Sequence, residues 1–169
     1  MKTTVGNSIR KIEFSNNGVT DSLTGAPSPK LFMDNLTREI SKSKRKSQPI
    51  SIMTVKLLPA RTITKKKIKS NIGSEVTEFE KDLSAMSNNI KSNMRSSDFY
   101  SRVAENGFWL CIQGDLIESE KTVLRLIPKL SEFRARPISE NRIVFAIYEW
   151  NIAQDVNAMI KEIDLNYFA

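Results

Sequence analysis

Histidine is absent from this 169-residue chain, and cysteine occurs once, as Cys111. The commonest general base, the Ser-His and Cys-His nucleophile pairs and the commonest zinc ligand are therefore excluded. A lone cysteine cannot close an internal disulfide. Its neighbours Leu110 and Ile112 indicate a strand position rather than a reactive thiol in a basic pocket. Any catalysis would have to run on carboxylates. The segment that calls for inspection is Arg102-Val103-Ala104-Glu105-Asn106-Gly107-Phe108-Trp109. Asn106-Gly107 lies between two apolar runs, Phe99 to Ala104 and Phe108 to Ile112. It predicts a tight β-hairpin with a type I′ turn, because both residues tolerate positive φ.

The elements that would position this hairpin follow from periodicity. With 40% apolar and 27% charged residues the chain has ordinary globular usage, and its length suits one domain with a real core. Asn16-Asn17-Gly18 marks a turn, so residues 1–20 are read as an N-terminal lead-in and 21–169 as the domain. Ser28-Pro29 predicts a helix start, an N-cap followed by proline at the first helical position. Leu31, Phe32, Leu36 and Ile40 then recur at helical spacing up to the polar run Lys42 to Ser47. Pro49 to Leu58 reads as a buried strand, and the basic stretch Arg61 to Ser70 as a loop. Phe79, Leu83, Met86, Ile90 and Met94 predict a second helix from about Glu75 to Met94. Leu116 to Phe133 reads as a third helix interrupted near Pro128, Arg142 to Tyr148 as a strand, and Val156, Met159, Ile160 and Ile163 as a closing helix. That order implies an α/β (α+β) class: a central mixed sheet with an antiparallel hairpin, flanked by helices. Alternation sets Phe108 and Leu110 on one strand face and Trp109 and Cys111 on the other, which makes Trp109 a packing residue; Trp150 is read as core as well.

The formal net charge of +7 comes largely from Lys42 to Lys46 and Arg61 to Lys69. Such runs attract anions. Neither shows interleaved aromatics or a base-reading motif, so they are read as solvated surface and a nucleic-acid partner is not expected. No apolar window reaches the roughly 18 residues of a spanning helix, and no signal peptide is visible, so a cytoplasmic location is expected.

The stretch Asp21-Ser22-Leu23-Thr24-Gly25-Ala26-Pro27, followed by Phe32, Leu36 and Ile40, closely resembles the opening Asp-x-Leu-Thr-Gly-Leu-Pro…Phe motif of GGDEF domains, the diguanylate cyclases. The resemblance continues through a strand after the first helix, Arg95-Ser96-Ser97-Asp98 and Arg102 before the hairpin, and Ile163-Asp164 where the family has Ala-Asp. It implies that Ala104, Glu105, Asn106, Gly107 and Phe108 occupy the Gly-Gly-Asp/Glu-Glu-Phe positions, so that only the phenylalanine survives. Glu105 then puts a charged side chain where glycine would let backbone approach a nucleotide, and Gly107 offers no ligand atom where a carboxylate would hold Mg²⁺. The family's first-strand carboxylates fall on Lys56 and Leu58, and the segment from Pro59 to Gly73 carries Lys65-Lys66-Lys67 and Lys69 in place of the family's nucleotide-site residues. Cyclisation of two GTP molecules needs divalent cations to neutralise triphosphate charge. The expectation is therefore no cyclase activity and no cofactor. The chain stops at Phe168-Ala169, before the family's Lys-x-x-Gly tail, which fits a piece of a longer protein with further domains outside it.

What the resemblance leaves standing is Arg95-x-x-Asp98, placed before the hairpin as the family's product-binding inhibitory site is placed. It implies a cyclic di-GMP site formed by Arg95 and Asp98, with Arg102 either joining it or pairing at the surface. The chemistry suits the ligand. Arginine offers a planar fork to the guanine O6/N7 edge or to phosphate, and aspartate accepts from guanine N1 and N2 donors. The same residues have a purely structural account, because an arginine in the last helical turn favours the negative dipole end and Asp98 can organise the turn into the hairpin. Two functions are carried forward: a cyclic di-GMP receptor module, and a pseudo-enzyme scaffold that binds a protein partner through the altered hairpin and basic loop.

Overall fold

A computed structural model describes residues 14–58, 78–132 and 142–168. The basic loop at 61–70, the start of the second helix near Glu75, Phe133 and the first part of the lead-in lie outside the described residues.

Helix α1 spans Pro29–Lys46. Ser28 caps it, its Oγ accepting the Leu31 N–H at 3.3 Å, and Pro29 opens it. Phe32, Leu36, Ile40 and Ser43 form the buried stripe, and the helix stops where Ser47 turns left-handed at φ 51°. The elements that follow are β1 (Ile50–Leu58), α2 (Glu78–Asn93), β2 (Phe99–Ala104), β3 (Gly107–Gln113), α3 (Leu116–Glu132), β4 (Arg142–Glu149) and α4 (Val156–Phe168).

The α+β class holds, with four strands in the order β2-β3-β1-β4. The sheet is not mixed. Every neighbouring pair in it is antiparallel, because β3 inserts between β1 and β2, the two strands that α2 connects in parallel. One face carries Met53, Val55, Leu57, Tyr100, Phe108, Leu110 and Ile112, covered by Leu83, Met86 and Ile90 of α2 and Val123 and Leu126 of α3. The opposite face carries Ile50, Ile52, Trp109 and Cys111, covered by the α1 stripe and by Met159 and Ile163 of α4, with Trp150 buried at the margin. Phe108 and Leu110 thus face away from Trp109 and Cys111, as alternation requires, and both tryptophans are core.

Two local expectations are corrected. The hairpin forms where Asn106-Gly107 places it, but its loop residues are Glu105 and Asn106, and Gly107 already pairs with Ala104 as the first residue of β3. None of these residues takes positive φ, so the turn is not type I′. The register shifts between Arg102 and Ala104, and the extra residue, Val103, supplies the local twist that a primed turn would otherwise provide. Helix α3 also runs through Pro128 without a break. Proline costs it the bond to the carbonyl of Leu124, a residue whose side chain is on the solvent side. Among the described residues no helix is long and apolar enough to cross a membrane.

Candidate functional site

The antiparallel register puts the candidate residues at opposite ends of the sheet. At the hairpin end, Lys56 of β1 lies directly across from Gly107 of β3. Asn106 locks the hairpin to β1: its carbonyl accepts the Leu57 N–H at 2.8 Å and its Nδ2 donates to the Leu57 carbonyl at 3.0 Å. Neither Lys56 nor Gly107 offers a divalent cation an oxygen from its side chain. An amine faces a residue with no side chain, whereas Mg²⁺ takes carboxylate and phosphate oxygens in near-octahedral geometry.

Arg102 supports the hairpin from beneath and is not at the surface. Its side chain is fully buried, with Nη1 2.9 and 3.0 Å from the two Asp21 carboxylate oxygens and Nη2 donating to the Glu105 carbonyl at 2.6 Å. The guanidinium carbon lies 5.1 Å from the centre of the Phe14 ring. Asp21 Oδ1 also accepts the Thr24 N–H at 2.8 Å and the Thr24 hydroxyl at 2.6 Å, closing a turn in which Gly25 adopts φ +66°. Arg102 therefore ties the Asp21 turn to the hairpin. A charge buried this deeply demands its partner, and a surface pairing of Arg102 is ruled out. The partner was visible in sequence only as the first letter of the Asp21-Ser22-Leu23-Thr24-Gly25 motif, because nothing local links positions 81 residues apart.

At the other end of the sheet, Arg95 and Asp98 share one turn, the Asp98 N–H donating to the Arg95 carbonyl at 3.1 Å. Asp98 is 9% exposed. Its Oδ1 accepts the Gln113 N–H at 3.0 Å, which fixes the start of β2 against the end of β3. Its Oδ2 is buried and unpartnered among the described residues. Arg95 is half-exposed and its Nη2 stands 3.2 Å from Glu118 Oε2 in the first turn of α3. Glu118 also receives Lys121 Nζ at 2.6 Å. Lys121 first and Arg95 second hold the Glu118 carboxyl below the ordinary carboxylate range. Glu118 was not singled out in the sequence, which carries no local sign that the start of α3 faces the end of α2.

Two turns further along α3, Arg125 keeps Nε and Nη2 buried without a hydrogen-bond partner among the described residues. A seven-residue separation returns it to nearly the same helix face as Glu118. The structure thus brings Arg95 and Asp98 together and sets Arg102 apart, four residues beyond Asp98 within β2 and held by Asp21.

The family model for the diguanylate cyclase GGDEF domain matches residues 18–167. No curated protein sequence matches the chain significantly. Solved structures do. The GGDEF domain of FimX from Pseudomonas aeruginosa superposes with a TM-score of 0.65 at 11% identity, covering 85% of this chain and 86% of that one. The GGDEF domain of DgcB from Caulobacter crescentus, solved in complex with c-di-GMP, gives 0.60 at 13% identity over 89% of this chain and 88% of that one. The diguanylate cyclase SiaD from Pseudomonas aeruginosa, in complex with its activator SiaC, gives 0.63 at 17% identity over 86% of this chain, which spans only 55% of SiaD.

Proposed function

The chain belongs to the GGDEF domain family of diguanylate cyclases, and from that premise we propose that it is a member without cyclase activity that binds cyclic di-GMP through Arg95 and Asp98. The observation that carries the ligand site is the buried, unpartnered Oδ2 of Asp98, one turn from a half-exposed guanidinium. A buried carboxylate oxygen without a donor is costly, and the N1–H and N2–H of a guanine base would satisfy it. Arg95 offers its fork to the same base or to phosphate once it leaves Glu118, a half-exposed ion pair of small worth. Arg125 adds a second guanidinium on the α3 face that Glu118 opens. Arg102, held by Asp21, is left out of this site.

The argument against cyclisation is the Lys56–Gly107 pair. Ammonium and metal compete for the same phosphate oxygens, and Gly107 gives the metal no ligand atom.

A second reading has its own observation. Asp98 Oδ1 and Arg95 already have intramolecular partners, Gln113 and Glu118, so both residues can serve the fold alone. The domain would then be a scaffold for another protein.

Calorimetric titration of the full chain with cyclic di-GMP, with GTP plus Mg²⁺ in parallel, separates the two. Micromolar or tighter binding of cyclic di-GMP that is lost in Arg95→Ala establishes the receptor. Absence of heat with either nucleotide leaves the scaffold. Formation of cyclic di-GMP from GTP would overturn both.

A further inference from the structure

We propose that Glu118 is an internal competitor for Arg95: its carboxylate occupies the guanidinium that cyclic di-GMP needs, and the ligand binds by displacing it. The inference rests on the receptor reading given above and adds the residue that regulates that site. Glu118 stands three residues after Asp115, whose Oδ1 accepts the Glu118 N–H at 2.9 Å and so caps α3. An acid at that place can turn back onto the N–H of the cap residue. Glu118 instead spends its oxygens on cations, Oε1 on Lys121 Nζ at 2.6 Å and Oε2 on Arg95 Nη2 at 3.2 Å. The joint before α3 makes room for its stem. Gly114 has no side chain, and the Cβ it lacks would lie 2.6 Å from the Glu118 Cβ and 3.2 Å from its Cγ. The Glu118 side chain thus leaves the helix against bare Gly114 backbone.

Stability does not account for the Arg95 contact. The Arg95 side chain is 45% exposed and that of Glu118 34%, and ion pairs this open add little to folding. The start of α3 does not need Arg95 either, because Asp115 caps it and Lys121 already neutralises Glu118. What the contact does is engage a guanidinium one turn from Asp98, whose Oδ2 is buried without a donor among the described residues. A carboxylate on arginine makes the same kind of charge-assisted contact as a phosphate oxygen, so the two compete for the same N–H groups. With Glu118 in place, a phosphate would also meet a like charge beside Arg95. Lys121 keeps Glu118 when Arg95 leaves, so displacement strands no unpaired carboxylate.

The test is calorimetric titration with cyclic di-GMP of the full chain, of Glu118→Gln and of Glu120→Gln, each checked for an unchanged melting curve. Glu120 is exposed and lies about 200° round α3 from Glu118, so its variant removes the same charge from the other side of the helix. An exposed pair leaves Arg95 free for only part of the time, so Glu118→Gln should tighten binding about two- to six-fold. Glu120→Gln should leave it where it was. Binding by Glu118→Gln where the parent shows none would support the inference in its strongest form. Equal affinity of parent and Glu118→Gln overturns the inference and leaves the receptor reading standing. So does weaker binding by Glu118→Gln, which would make Glu118 a ligand contact. Equal tightening by both variants overturns it as well, in favour of the overall charge of α3. No binding by any of the three overturns the receptor reading and this inference with it.

Discussion

Arg102 and Asp21 form a fully buried ion pair that joins a turn near the start of the described chain to the hairpin at its centre. Removing either partner leaves the other charged and unpaired in the interior. Asp21→Ala or Arg102→Ala should therefore lower stability by about 3–5 kcal/mol, read as a shift in the urea midpoint. An unchanged midpoint would sink this account of the pair. Cys111 is fully buried in the core under α1, and burial first, then the charges of Glu39 and Asp98, push its thiol up. It should resist thiol reagents at pH 8 in the native state and react only on unfolding; rapid native labelling would contradict its placement. Glu118 goes the other way. Its folded pKa is depressed, so its contribution to stability is present above the ordinary carboxylate value and is lost as pH falls through the lower folded value. In Arg95→Ala its carboxyl should titrate higher by NMR than in the parent, though still below the ordinary value because Lys121 remains.

At the scale of elements, the start of α1 and the start of α3 carry the positioning. Ser28 Oγ both caps α1 and donates to the Gly18 carbonyl at 2.8 Å, so one hydroxyl anchors the helix and the turn before it. Ser28→Ala should cost about 1–2 kcal/mol in the same denaturation experiment, the upper part of the range for a cap with a second bond. The joint between β3 and α3 is tighter. Gly114 has φ +157°, and a Cβ there would lie 2.6 Å from the Glu118 Cβ. Gly114→Ala must push the start of α3 outward, which should loosen the Glu118–Arg95 contact and lower the urea midpoint; an unchanged midpoint would contradict the tightness of this joint.

At the scale of the whole molecule, a ligand bound to the folded state alone adds stability by mass action. Cyclic di-GMP at one hundred times its dissociation constant should add about 2.7 kcal/mol, which for a domain of this size is a rise in Tm of roughly 5–10 °C. Arg95→Ala should show none of it. The element order, the buried stripe of α1, the opposite facing of Phe108 and Trp109 and the position of the hairpin could all be read along the chain, because each is set by the periodicity of a single helix or strand or by capping within a few residues. The resemblance of the Asp21-Ser22-Leu23-Thr24-Gly25 stretch to GGDEF domains was likewise local, and the family match bears it out. Strand order, turn geometry and pairing across long separations were decided by tertiary structure. β3 enters between β1 and β2 because the hairpin edge pairs with β1, which turns an expected mixed sheet into an antiparallel one. The bulge at Val103 removes the need for the positive φ that Asn106-Gly107 permits. Arg102 pairs inward with Asp21, and Arg95 meets Glu118, because packing α3 beside α2 and the first turn beneath the hairpin brings together charges that no sequence period relates.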